Sequence, residues 1–132
     1  HGCAIGGNTF VLVHAFGVRV GPDSGRNAIS ANSFTNSFIG EGKDKRPKEG
    51  PTPMHVDAAA GVFVDGGRDC VITGNTFTGL ATAAIWEGRP GAGLLVTHNL
   101  CRDCGRGLAA DAAWIAIGRD GGSLVEGNLT DR

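Results

Sequence analysis

A chain of 132 residues with 12 Lys and Arg against 13 Asp and Glu has a net charge of −1, so neither nucleic acid nor an anionic membrane surface is expected as a partner. Glycine supplies 23 residues, more than double the usual share of about 7%, yet glycine and proline together stay below the level of about 25–30% that signals low complexity. No apolar run approaches the ~18 residues needed to span a membrane.

The chain opens on a short phrase, AIGGNTF at Ala4–Phe10. Cys3 and Ile5 share one face of a short strand, Gly6-Gly7 permits a turn, and Phe10 returns to the same interior. Val11-Leu12-Val13 continues apolar, Gly17-Val18-Arg19-Val20 alternates as a half-buried strand, and Gly21-Pro22-Asp23-Ser24-Gly25 is dense turn chemistry. The opening phrase then returns as AISANSF (Ala28–Phe34), VITGNTF (Val71–Phe77), LVTHNLC (Leu95–Cys101) and LVEGNLT (Leu124–Thr130). Its columns read Ile5, Ile29, Ile72, Val96, Val125 and Phe10, Phe34, Phe77, Cys101, Thr130, with an Asn between them. Asn8, Asn32, Asn75, Asn99 and Asn128 follow one another at 24, 43, 24 and 29 residues. A unit of two dozen residues is therefore repeated and once stretched, the mark of stacked supersecondary units.

The stretch is a charged, proline-rich loop over residues 40–56, which cannot bury apolar surface and must leave the stack. After it, Gly61-Val62-Phe63-Val64-Asp65-Gly66-Gly67 repeats the strand and turn seen at Gly17–Gly25. Ala84–Gly91 and Trp114–Gly121 do so again, with an aromatic and charges added. Only Ala109–Ala113 offers a short helical exception. Parallel pairing of equivalent strands one coil apart should build long sheets whose inward columns repeat a residue type.

These phrases, an I-x-x-N-x-F preceded by G-V-x-V and a glycine turn, resemble the right-handed parallel β-helix repeat of the pectate-lyase-like superfamily, among the right-handed β-helix region domains. The resemblance implies an all-β, right-handed parallel β-helix of about five coils, one domain over residues 1–132, incomplete at both ends and continued by neighbouring β-helix coils of a longer chain. It also implies a secreted, periplasmic or cell-surface protein that binds or cleaves an extended polysaccharide, as a lyase or a glycoside hydrolase. A non-catalytic surface, adhesion or scaffold module is the alternative, because the fold serves both.

The Asn column reads as structure, since stacked amides satisfy one another and buried turn backbone. Cys101-x-x-Cys104 with His98 supplies three of the four ligands a structural zinc needs, so no metal site is assigned. Cys3 and Cys70 share a column but not adjacent coils, which argues against a disulfide. Candidate chemistry lies where the G-V-x-V strand meets its turn. Asp65 and Glu87 are the carboxylates that acid–base or nucleophilic sugar cleavage would use, with Arg89 as the cation beside them and Asp23 as their earlier counterpart. A lyase would add a base and a cation or bound Ca2+ to neutralise the substrate acid. His55, Asp57, Trp86, Arg119 and Asp120 are expected to touch substrate, Trp86 by stacking on a sugar ring if it faces outward. The plain alternative is that Asp and Gly stand here because turns select them.

Overall fold

Each repeated phrase folds as two three-residue strands meeting at a sharp corner, and the corner is made by the residue before the ladder Asn. Gly7, Ala31, Gly74, His98 and Gly127 hold that place with φ between 53° and 68°, the left-handed region where glycine has no steric cost and other residues do. The structure, a computed structural model, describes residues 1–11, 16–36, 60–105, 108–118 and 121–131. The expected 40–56 loop, together with His55 and Asp57, lies outside the described residues, as do Arg119 and Asp120.

Three parallel sheets result. The first holds β1 (Ala4–Gly6), β4 (Ala28–Ser30), β7 (Val71–Thr73), β10 (Leu95–Thr97) and β13 (Leu124–Glu126) in that order. The second holds β2 (Thr9–Val11), β5 (Ser33–Thr35), β8 (Thr76–Thr78), β11 (Leu100–Arg102) and β14 (Leu129–Asp131). The third, from the G-V-x-V strands, holds β3 (Phe16–Val20), β6 (Ala60–Val64), β9 (Ile85–Glu87) and β12 (Ile115–Ala116). Every strand pairs with its equivalent one coil away, Ile5 on Ile29 on Ile72 on Val96 on Val125. This is the right-handed parallel β-helix of about five coils that the repeat implies, the hand being that of nearly all parallel crossovers. No helix occurs among the described residues, and the run from Ala109 holds instead a turn in which the Ala112 N–H donates to the Ala109 carbonyl at 3.0 Å. Its residues serve a connection between sheets, with Ala109, Ala110, Asp111 and Ala113 exposed.

The Asn column is a continuous ladder. The backbone N–H and Nδ2 of each Asn both donate to Oδ1 of the next: Asn8 to Asn32 at 3.0 and 3.2 Å, Asn32 to Asn75 at 3.0 and 3.0 Å, Asn75 to Asn99 at 3.1 and 3.0 Å, Asn99 to Asn128 at 3.0 and 2.9 Å. The corner turns its backbone inward, and these amides supply the partners that strands cannot.

Inside, Phe10, Phe34 and Phe77 stack at 4.6 and 4.8 Å with planes within 9°, each buried ring being worth about 1.5–3 kcal/mol. The third sheet accommodates them by register. Gly17, Gly61, Ala84 and Trp114 occupy equivalent positions on it, and a Cβ on Gly17 would fall 2.6 Å from the Phe34 ring, as one on Gly61 would fall against Phe77. Where the column shrinks to Cys101 and then Thr130, the facing residue grows to Ala and then Trp. The exchange runs in the compensating direction, a smaller column residue meeting a larger facing one, as a close-packed interior favours.

Strand connections differ in length at one corner only. Third-to-first-sheet connections, such as 21–27, 65–70, 88–94 and 117–123, are nearly equal, whereas second-to-third-sheet connections run over 12–15, 36–59, 79–84 and 103–114. Insertions thus enter the coil beside the third sheet, a clustering on one side that is common in repeat proteins.

Candidate functional site

The outer face of the third sheet carries the densest chemistry among the described residues. Val18, Val20, Val62, Val64 and Ile85 point inward and are buried, so by strand alternation Arg19, Phe63 and Trp86 point out, and the register sets them in one row with Ala116. Phe16 joins them: its ring stacks on Phe63 with centroids 4.4 Å apart and planes 14° from parallel. Trp86 follows on the other side of Phe63 at 4.9 Å, tilted by 48°. Trp86 is 36% exposed, the outward placement that sugar stacking requires. Gly88 supports the row, since a Cβ there would stand 2.5 Å from the Phe63 ring.

Beside the aromatics, Asp65 lies between two arginines from the coils on either side. Arg19 Nη2 donates to Asp65 Oδ2 at 2.5 Å, while Arg89 donates through Nε to Oδ1 at 2.6 Å and through Nη2 to Oδ2 at 3.2 Å. The carboxylate is only 8% exposed, whereas the arginine side chains are 53% and 66% exposed and spread into solvent. The hydrogen bond from Arg89 and then that from Arg19 hold the Asp65 carboxyl below its ordinary range, against a smaller upward push from burial. Arg89 is correspondingly raised, chiefly by Asp65, with Asp23 adding to the same field.

Glu87 sits one coil on from Val64 in the register, and both its oxygens accept backbone donors: Oε1 from the Gly91 N–H at 2.5 Å and Oε2 from the Gly118 N–H at 2.6 Å. It therefore ties the turn after its own strand to the end of the next coil's strand. The structure brings Asp65 and Arg89 together beside the outward row that holds Trp86, whereas Glu87 continues the column of Val20 and Val64, and both carboxylates have both oxygens engaged.

Among the described residues no group of three His, Cys, Asp or Glu is placed to hold a metal ion. Cys101 and Cys104 are buried and all four cysteines are free thiols. Burial, and then the proximity of Cys104, pushes the Cys101 thiol up to about 12, far from the thiolate a metal would bind. Cys101 pairs in register with Phe77, as a core residue. Cys3 and Cys70 are separated by Asn27, which accepts from the Cys3 N–H at 3.0 Å and approaches Cys70 Sγ at 3.7 Å.

Phe16, Phe63 and Arg19 were not singled out from the sequence as site residues. The signal for Arg19 and Phe63 is the middle position of Val18-Arg19-Val20 and Val62-Phe63-Val64, where alternation around two inward valines forces the intervening side chain outward; Phe16, two before the inward Val18, carries no such signal.

No family model, curated protein or solved structure matches the chain.

Proposed function

We propose that this β-helix binds carbohydrate, holding a polysaccharide on the outer face of its third sheet. The observation that carries the reading is Trp86, exposed on the outer face at the end of the Phe16–Phe63 ring stack, alongside the arginines of Arg19–Asp65–Arg89. A sugar has apolar C–H faces and a rim of hydroxyls, so an aromatic face flanked by fixed N–H donors matches both parts. A polysaccharide-binding protein of this kind belongs outside the cell, in the periplasm or on the cell surface.

Binding is favoured over cleavage by the state of the carboxylates. A lowered Asp65 pKa makes that group a weak base and leaves no proton for it to give near neutral pH, and Glu87 is committed to two backbone N–H groups. In this reading Asp65 and Glu87 position the arginines and the turns, and Arg89 and Trp86 touch the sugar.

The test is binding of the chain to a panel of neutral and uronate polysaccharides, with reducing ends and unsaturated products measured in parallel. The expected result is retention without product, and Trp86→Ala weakening retention about tenfold, or ~1.4 kcal/mol. Product formation abolished by Glu87→Gln would restore the cleavage reading. No retention on any polysaccharide would leave the fold as a scaffold or adhesion module.

A further inference from the structure

We infer that Trp86 holds a single sugar ring on the side of its indole turned toward the next coil, over Ala116, so that the polysaccharide crosses the stack instead of running along it. This rests on the carbohydrate-binding reading and fixes which surface binds and how much of the ligand it touches.

The free ring faces decide the orientation. Phe16 and Phe63 are nearly parallel and 4.4 Å apart, close to the spacing of about 4.8 Å between neighbouring strands. Their faces therefore look along the stack at one another, and their edges look out. Phe63 has Phe16 on one face and Trp86 on the other, and its rim meets Gly88. It has no face to offer a sugar, and neither ring makes an outward-facing platform. Trp86 differs. One side of its indole meets Phe63, and on the following coil its register partner is Ala116, whose methyl group is far too small to cover an indole. The aromatic row stops one residue short, and the step it leaves is walled by Trp86 and floored by Ala116. Glu87 lies beside this step with its carboxylate on the Gly118 N–H of the same coil as Ala116, fixing the floor relative to the wall.

A ring seated on that step has its plane turned across the stack. The units on either side of it leave along the strand direction, past the edges of a narrow sheet, instead of meeting Phe63 and Phe16 in turn. Contact is confined to one or two sugar units.

Calorimetric titration of the chain with cello-oligosaccharides and with oligogalacturonates of one to six units tests this. Affinity is expected to rise from one unit to two and then stay within about twofold up to six. A rise of tenfold or more between two and six units would overturn the crossing geometry while leaving carbohydrate binding intact. Ala116→Phe, which extends the aromatic row across the step on an outward position, is expected to lose binding at least tenfold with an unchanged circular dichroism spectrum. Undiminished binding by that folded variant would overturn the site. Phe16→Ala is expected to bind as wild type, and a tenfold loss there would place the sugar on the other rings. Absence of binding to either series and to every polysaccharide of the panel would remove the carbohydrate reading itself.

Discussion

At the scale of single residues, Asp65 shows how a turn aspartate becomes part of a cross-coil device. Its pKa is depressed in the fold, so the stability it contributes is present above the unfolded value of about 3.9 and is lost as pH falls through the lower folded value. Asp65→Asn removes that dependence: denaturant titrations from pH 5 to pH 2 should show a flatter acid limb for the variant than for wild type, and equal limbs would mean the arginine pairs contribute nothing. Ala31 makes a different point. It occupies the left-handed corner with φ 55°, where the equivalent residues Gly7, Gly74 and Gly127 have no Cβ to strain. Ala31→Gly should stabilise the protein by about 0.5–1 kcal/mol, the relief of about 1–2 kcal/mol of left-handed strain less the entropy a glycine adds to the unfolded chain. A shift of the urea midpoint to higher concentration is the readout.

At the scale of elements, the ladder asparagines are unequal despite identical sequence roles. Asn75 accepts from Asn32 and donates to Asn99, to the Ile29 carbonyl at 2.9 Å and to the Thr73 carbonyl at 3.2 Å, and it is buried. Asn75→Ala strands the buried Asn32 N–H, at about 1–3 kcal/mol. Asn8, exposed at the first coil, leaves no comparable group buried, so Asn8→Ala should cost less than about 1 kcal/mol. Equal losses in parallel denaturation curves would show that the ladder is not what holds the corners. The repeat that predicted these elements was legible because Ile29, Asn32 and Phe34 and their equivalents must each meet their like one coil away. The steric exchange of Gly17 and Gly61 for Ala84 and Trp114 was not. Its partners, Phe34, Phe77, Cys101 and Thr130, belong to a different sheet, and pairing the two columns requires the three-dimensional register.

At the scale of the whole molecule, stability adds from coil to coil because each touches only its neighbours. The core residues that are wholly buried, among them Ile29, Phe34, Val62, Ile72, Phe77, Ile85 and Val96, cluster in the middle coils, while Leu124 and Leu129 are exposed on the last. Amide hydrogen exchange should therefore be slowest at Ile72 and Phe77 and faster toward β1 and β14. Uniform protection would indicate a single cooperative unit. The candidate site was half legible for a related reason. Asp65, Trp86, Glu87 and Arg89 announce themselves as charges and an aromatic at turns. What each does depends on neighbours on other coils, and no local pattern says that Asp65 would be shared by Arg19 and Arg89, or that Phe63 would be enclosed by Phe16 and Trp86.

The ladder also gives the stack an electrical direction. Each of Asn32, Asn75, Asn99 and Asn128 accepts a backbone N–H from the preceding coil, which fixes every side-chain carbonyl to point toward the first coil. Dipoles so aligned add instead of cancelling, much as peptide dipoles do along a helix, and neighbouring amides polarise one another. The amide column is therefore polar along the stack, its oxygen ends all turned toward the Asn8 side and its N–H ends toward the Asn128 side.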